Sequence, residues 1–157
     1  MKYYMAYGSN LNIWQMGNRC PSASPYAPTI LKGYELVYKG SKTGSYLTIE
    51  PGDGEVPIGI WKVSDADERE LDRYEGYPLF YDKKTMTVEA NGEKIRAFVY
   101  IMREDRPYGY PRESYVEGCR EGYIEWGFDE KYLDDAMTRT IMRDGAGYGM
   151  SKVRKAI

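Results

Sequence analysis

The stretch Tyr7-Gly8-Ser9-Asn10-Leu11 organises this chain, and it directly follows a short apolar and aromatic run, residues 3–6. The run is rich in residues that favour β-structure, so it predicts a strand that ends where Gly8 begins a polar segment. Glycine at this position allows a backbone conformation, or a close approach by a ligand, that a side chain would block. The stretch therefore predicts a tight polar turn directly after the first strand.

Two interpretations of this turn are open. In the first, several backbone N–H groups point at one place and form a site for a carboxylate or a developing oxyanion. In the second, the turn only caps a helix that begins near Leu11. The local sequence favours the simple cap, so the decision depends on the rest of the chain.

The composition limits the possible classes of function. A chain of 157 residues is most simply one domain with its own core, which we expect over residues 1–142, followed by a mobile glycine-rich tail over residues 143–157. A net charge of −2 gives no broad positive field, so we expect no nucleic-acid partner. No apolar run approaches the ~20 residues of a membrane span, and two distant cysteines form no disulfide framework. We therefore expect a cytoplasmic protein without a membrane partner.

The sequence contains no histidine, and this absence is informative. It excludes nucleophiles that are activated by imidazole, and it excludes the common zinc sites that use histidine. Any acid-base chemistry must come from carboxylates, tyrosines or lysines. The 17 tyrosines, against three phenylalanines, favour a pocket lined by phenols, although most of them are expected to be packing residues.

The remaining segments predict a mixture of strands and helices. Two turn signals are strong: Pro51-Gly52-Asp53-Gly54 should stop a strand, and Asn91-Gly92 should join two strands in a hairpin. The predicted strands cover residues 27–38, with a bulge or bend at Gly33, and residues 46–50, 56–63, 81–88 and 95–102. Helical spacing predicts helices over residues 11–17, 64–75, 112–126 and 128–142.

The helix over residues 64–75 carries the second important position. Ser64 and Asp67 resemble a capping box at its start, and Gly76 is a typical C-terminal cap. Glu75 lies four residues after Leu71, so it projects from nearly the same stripe as this core residue. Burial and the negative end of the helix should both raise the pKa of Glu75, as a general base near neutrality requires. By itself, a surface glutamate at a helix end remains the alternative.

These motifs together resemble the gamma-glutamylcyclotransferase-like family. The resemblance is carried by Tyr7-Gly8-Ser9-Asn10-Leu11 after the first strand, by Leu71-Asp72-Arg73-Tyr74-Glu75-Gly76 at a helix end, and by Tyr81 and Tyr100 beyond it. It covers roughly residues 2–132. It implies an α+β fold, a small mixed β-barrel with flanking helices, in which the loop and the glutamate meet in one pocket.

The resemblance also implies an activity and roles for these residues. Members of the family release 5-oxoproline from γ-glutamyl amines or γ-glutamyl amino acids without a metal or an organic cofactor. Glu75 would be the catalytic acid-base. The expected substrate-binding residues are Tyr7, Gly8, Ser9, Asn10, Leu11, Tyr81 and Tyr100. Within this set, Gly8, Ser9 and Asn10 would form the binding loop, and Tyr7 and Leu11 would fix it.

Several questions stay open at the level of sequence. The loop could hold the oxyanion or the substrate carboxylate, and the identity of the γ-glutamyl compound is not determined. The chain could act as a monomer or as a homodimer. The alternative from another functional class is a non-catalytic module that binds a small molecule or a protein in the same pocket, which the presence of Glu75 disfavours. A β-barrel that binds nucleic acid is disfavoured by the lack of basic residues in excess.

Overall fold

The protein has an α+β fold built on one five-stranded sheet. A computed structural model describes residues 1–41 and 44–145. The strands are β1 (Lys2–Ala6), β2 (Ser24–Ser41), β3 (Gly44–Val63), β4 (Tyr81–Ala90) and β5 (Glu93–Met102). The helices are α1 (Ile13–Arg19), α2 (Asp65–Glu75), α3 (Glu113–Trp126) and α4 (Lys131–Gly145), with a 3-10 turn at Ser9–Leu11.

The sheet is mixed, and the first strand lies at its centre. The strand order is β2-β3-β1-β5-β4, in which β1 pairs antiparallel with β3 and parallel with β5. Within the described residues β2 and β4 are the edges of the sheet, so the sheet is open and the predicted barrel is not confirmed. The two edges nevertheless approach each other, because the Thr29 hydroxyl on β2 donates to the Glu89 carbonyl on β4 at 2.5 Å.

The prediction that Pro51-Gly52-Asp53-Gly54 forms a strand-ending turn was wrong. Strand β3 continues through this segment, and together with β2 it forms one long hairpin. Tyr34 pairs with Pro51, whereas Lys32 pairs with Glu55, so residues 52–54 bulge opposite the single residue Gly33. Glycines suit such a bulge as well as they suit a turn, and pairing with a distant partner decides between the two. At Gly33, where a bulge or bend was predicted, the pairing shifts register between Lys32 and Tyr34, and the extra residues lie on β3.

Local signals correctly predicted helix α2 and the second hairpin. The Ser64 hydroxyl accepts from the Asp67 backbone N–H, and the Asp67 carboxylate accepts from the Ser64 backbone N–H, which completes the capping box. Gly76 ends the helix in the left-handed conformation with φ of 65°. Asn91 and Gly92 also have positive φ, as a two-residue turn between β4 and β5 requires.

Helix α4 reaches Gly145, three residues beyond its predicted end. The rest of the predicted tail, residues 146–157, lies outside the described residues. Along the described parts of the chain, no helix is both long and apolar enough to cross a membrane.

Candidate active site

One pocket of about 460 Å³ lies where the turn after β1 meets the end of α2. Its walls come from β1, the start of β3, the end of α2, the strands β4 and β5, and helix α3. Seven of the eight predicted site residues line it: Tyr7, Gly8, Ser9, Asn10, Glu75, Tyr81 and Tyr100. The eighth, Leu11, is fully buried beneath the turn and is not part of the lining. Leu11 is therefore not a wall of the pocket, and its expected part in fixing the loop stays a prediction.

Glu75, the last residue of α2, faces this pocket. Leu71, one turn earlier, is fully buried, so the two side chains lie on the inward stripe of the helix, as their spacing predicted. Burial raises the pKa of the Glu75 carboxyl to about 8, against the opposing effect of the positive charge on Arg19. A carboxyl with this pKa gains or loses a proton close to neutral pH.

A short network fixes the side chain that contacts Glu75. Nη1 of Arg19 donates to Oδ1 of Asn10 at 2.6 Å. The other end of the Asn10 amide, Nδ2, then donates to the Tyr4 hydroxyl at 2.9 Å and reaches Oε1 of Glu75 at 3.4 Å. The guanidinium of Arg19 also stacks on the ring of Tyr74 at 3.7 Å. Asn10 is therefore held with its donor group turned toward the carboxylate.

The turn itself is compact and closely surrounded. The Leu11 N–H donates to the Gly8 carbonyl at 3.1 Å, which closes the 3-10 turn. The hydroxyls of Ser9 and Tyr74 are hydrogen-bonded at 3.0 Å. A Cβ atom on Gly8 would lie 3.2 Å from the Tyr115 hydroxyl, which is a tight contact. The side chain of a larger residue would therefore occupy part of the pocket. The need for glycine here is thus a need for space.

The predicted pocket tyrosines are hydrogen-bonded to other parts of the protein. The hydroxyls of Tyr7 and Tyr81 donate to the carbonyls of Tyr100 and Leu47, at 2.6 and 2.8 Å. The Tyr100 hydroxyl donates to the Asp72 carboxylate at 2.6 Å. Burial raises the pKa of all three phenols, so they stay protonated at neutral pH. In this structure all three form part of the pocket wall.

Sequence reasoning missed half of the lining. The lining residues that it did not predict as part of the site are Tyr4, Tyr46, Leu47, Tyr74, Gly76, Phe80 and Tyr115. Tyr74 and Gly76 flank Glu75, so proximity in sequence could have found them. Tyr115 lies on α3, where its hydroxyl accepts from the Leu47 N–H at 3.0 Å, and only the tertiary fold brings it here.

The pocket has a single ionisable carboxylate and no cationic side chain among its described lining residues. Arg19 acts from behind Asn10 and Tyr74 rather than from the wall. Over residues 1–41 and 44–145, no cluster of three or more acidic or cysteine side chains could hold a metal ion. The groups that the described lining offers to a ligand are the Glu75 carboxyl, neutral hydroxyl and amide groups, and the backbone of the turn.

The model of a known family, described as gamma-glutamyl cyclotransferase, AIG2-like, matches residues 4–118. This chain belongs to that family. The matched segment contains the turn after β1, Glu75 and every other lining residue of the pocket.

Solved structures agree with this assignment. A structure named gamma-glutamyl cyclotransferase is 26% identical, with a TM-score of 0.76 over 86% of this chain and 85% of its own. An uncharacterized protein from Homo sapiens gives the same values. YkqA from Bacillus subtilis shares the fold at 18% identity, with a TM-score of 0.74 over 85% of this chain and 52% of its own. A comparison with curated protein sequences finds no match.

Proposed function

We propose that this protein is a cyclotransferase that releases 5-oxoproline from a γ-glutamyl amine or a γ-glutamyl amino acid. The observation that carries the proposal is the environment of Glu75, a carboxyl with a pKa of about 8 beside a polar turn in a pocket of small-molecule size. Membership of the family supports the same reaction class.

The reaction exchanges one carbon–nitrogen bond for another. The α-amine of the γ-glutamyl group attacks its own γ-carbonyl carbon and forms a new C–N bond. The bond from this carbon to the departing amine then breaks, and the α-amine proton ends on the departing nitrogen. Because both reacting groups belong to one molecule, a pocket that holds the chain folded supplies much of the acceleration.

Glu75 is proposed to carry the proton between the two nitrogens. Its carboxylate accepts a proton from the attacking α-amine, and its carboxyl then returns the proton to the leaving nitrogen. The α-amino groups of peptides titrate at about 7.7–8.0, close to the pKa of Glu75, so transfer in either direction has a small free-energy difference. The Asn10 amide, held by Arg19, supports the orientation of the carboxylate.

The turn at Gly8 to Asn10 is proposed to bind the negative part of the substrate. Its backbone N–H groups serve either the oxyanion that develops on the γ-carbonyl or the α-carboxylate. The donor of Leu11 is already used inside the turn, so the donors concerned are those of the preceding residues. Removal of one oxyanion donor typically reduces the rate by ~10²-fold or more.

Release of 5-oxoproline from a panel of γ-glutamyl compounds tests this proposal. We expect turnover by the wild type and a loss of several orders of magnitude in Glu75→Gln, while the matched control Glu70→Gln, an exposed position on the same helix, keeps full activity. If the folded wild type forms no 5-oxoproline from any compound that it binds, the site belongs to a binding module rather than to an enzyme. If Glu75→Gln is fully active, the proposed proton carrier is wrong.

A further inference from the structure

Asp72 lies in the last turn of α2, three residues before Glu75, and it is not part of the pocket lining. Its carboxylate makes two contacts with the sheet through the same oxygen, Oδ1. This oxygen accepts from the Tyr100 hydroxyl on β5 at 2.6 Å and from Nζ of Lys83 on β4 at 2.7 Å. Asp72 therefore ties the end of α2 to two neighbouring strands.

The backbone of Asp72 takes part in the end of the same helix. Its carbonyl accepts from the N–H of Gly76 and, at 2.9 Å, from the N–H of Tyr77. These bonds close the left-handed cap that directly follows Glu75. Helix ends fray when nothing holds them, and Glu75 lies between the residues that these bonds join. The place of the Glu75 side chain therefore depends on where Asp72 is held.

Tyr100 connects Asp72 to the other half of the site. Its hydroxyl donates to Asp72, while its own carbonyl accepts from the Tyr7 hydroxyl at 2.6 Å. Tyr7 leads into the turn after β1, and Asn10 of this turn reaches Oε1 of Glu75 at 3.4 Å. Hydrogen bonds thus run from the turn through Tyr100 and Asp72 to the helix that carries Glu75. The turn and the helix end are joined through one residue of β5.

The contacts of Asp72 are shielded from water on the side of the sheet. Tyr100 is 2% exposed, and the side chain of Lys83 is 17% exposed. Nζ of Lys83 also donates to Glu68 at 2.8 Å, one turn earlier on α2, and lies 4.5 Å from the ring centroid of Tyr77. Hydrogen bonds with a charged partner are short and strong, and partial burial strengthens them further. This attachment is therefore firmer than an exposed ion pair on the surface.

We propose that Asp72 is a positioning residue, which holds the end of α2 on the sheet and thereby places Glu75 opposite the turn after β1. The inference rests on the proposed function, to which it adds a residue outside the pocket. Asp72 acts through Tyr100 and through the helix, without contact with the substrate. The alternative is that the same contacts only stabilise the fold.

Tyr100→Phe separates these two roles, because it removes the donor to Asp72 without changing any charge. The ring and the carbonyl that accepts from Tyr7 are kept. If the helix end loosens, water reaches Glu75, and an NMR titration of its carboxyl carbon should give a pKa of roughly 7 or below instead of about 8. Loss of a merely stabilising bond would lower the free energy of unfolding and leave this titration unchanged. An unchanged titration together with unchanged kcat would overturn the proposal.

The kinetic test is Asp72→Ala, measured at pH 9, where Glu75 is mostly ionised. We expect kcat for 5-oxoproline release to fall by roughly ten- to a hundredfold, with a change in KM of less than about twofold. Asp65→Ala, at an exposed position on the same helix, is the control and should keep the wild-type kcat. Asp72→Asn keeps an acceptor oxygen for the Tyr100 hydroxyl and should retain more activity than Asp72→Ala. A wild-type kcat in Asp72→Ala would overturn the proposal.

The double variant Asp72→Ala/Tyr100→Phe shows whether the two residues act through one contact. We expect it to lose no more kcat than the weaker of the two single variants. Losses that multiply would mean that the Tyr100 hydroxyl acts on the substrate by itself, which would overturn the proposed path. If the wild type forms no 5-oxoproline, the proposed function fails. The Glu75 titration in Tyr100→Phe then still decides whether Asp72 places the carboxyl.

Discussion

Replacing Glu75 by glutamine should stabilise the protein at high pH while it removes the proposed proton carrier. The ordinary pKa of glutamate is 4.5, and burial raises that of Glu75 to about 8. Between these two values the folded protein holds a proton that the unfolded chain has released, so the free energy of unfolding falls as the pH rises. Glutamine keeps the size of the side chain and an acceptor oxygen toward Asn10, but it has no proton to lose in this range.

The magnitude follows from the gap between the two pKa values. One pH unit corresponds to ~1.4 kcal/mol, so the gap from 4.5 to about 8 corresponds to ~5 kcal/mol as an upper limit. Water in the pocket screens the carboxylate and reduces this penalty. We therefore expect the free energy of unfolding of Glu75→Gln, relative to that of the wild type, to increase by ~2–4 kcal/mol from pH 5 to pH 9.

Urea unfolding at pH 5 and pH 9 measures this effect, with tryptophan fluorescence, to which the buried Trp61 contributes, as the signal. The comparison is the difference between Glu75→Gln and the wild type at each pH, so that other titrating groups cancel. Glu70→Gln, which changes an exposed carboxylate on the same helix, should show a difference that hardly depends on pH. If the difference in the free energy of unfolding between Glu75→Gln and the wild type is the same at both pH values, the raised pKa of Glu75 is refuted.

Three further predictions concern the surroundings of this carboxyl. Gly8→Val should weaken binding of 5-oxoproline by tenfold or more in calorimetry, because the valine side chain enters the space beside the Tyr115 hydroxyl. The control is Gly17→Ala, since nothing lies within 4 Å of a Cβ atom at that position. Unchanged binding in Gly8→Val would indicate that Gly8 belongs to an ordinary turn without a role in binding. Arg19→Gln should raise the pKa of Glu75 further, since the Arg19 charge lowers it, and should move the rise of activity to higher pH. The exposed Arg73→Gln is the control and should leave the pH–activity profile unchanged. An unchanged pH–activity profile in Arg19→Gln would refute the electrostatic effect of Arg19 on Glu75. Ser64→Ala should reduce the free energy of unfolding by ~1 kcal/mol through loss of the cap, and an unchanged urea midpoint would contradict this role.

Elements with local signals could be predicted from the sequence. Helix α2 has its start encoded in Ser64 and Asp67 and its end in Gly76, and the turn between β4 and β5 is encoded in Asn91-Gly92. Each signal acts through hydrogen bonds or backbone angles within a few residues. Such signals do not depend on how the rest of the chain folds.

The long hairpin of β2 and β3 could not be predicted in the same way. Gly52 and Gly54 are compatible with a turn and with a bulge, and the partner that decides is near Gly33 on β2. The open sheet in place of the expected barrel has the same character, because it depends on whether the distant edges β2 and β4 pair with each other. Pairing over such distances in sequence leaves little local trace.

Part of the pocket lining could be expected from the sequence. The turn from Tyr7 to Asn10 and Glu75 at the end of α2 were indicated by local motifs and helical spacing, whereas Tyr81 and Tyr100 were expected only from the family resemblance. Tyr46 and Phe80 were missed, because they come from different segments and meet only in the folded protein. Arg19 was missed for a similar reason, since it acts through Asn10 and Tyr74 without lining the pocket.

The most direct test of the central claim is the pH dependence of 5-oxoproline release, measured beside an NMR titration of the Glu75 carboxyl carbon in the free protein. The account predicts that kcat/KM rises with pH as a group with a pKa of about 8 loses its proton, and that the Glu75 carboxyl titrates with the same pKa. In Glu75→Gln both the rise of kcat/KM and the carboxyl titration should disappear. A carboxyl that titrates near 4.5, or a rate that does not follow its ionisation, would contradict the assignment of Glu75 as the group that moves the proton.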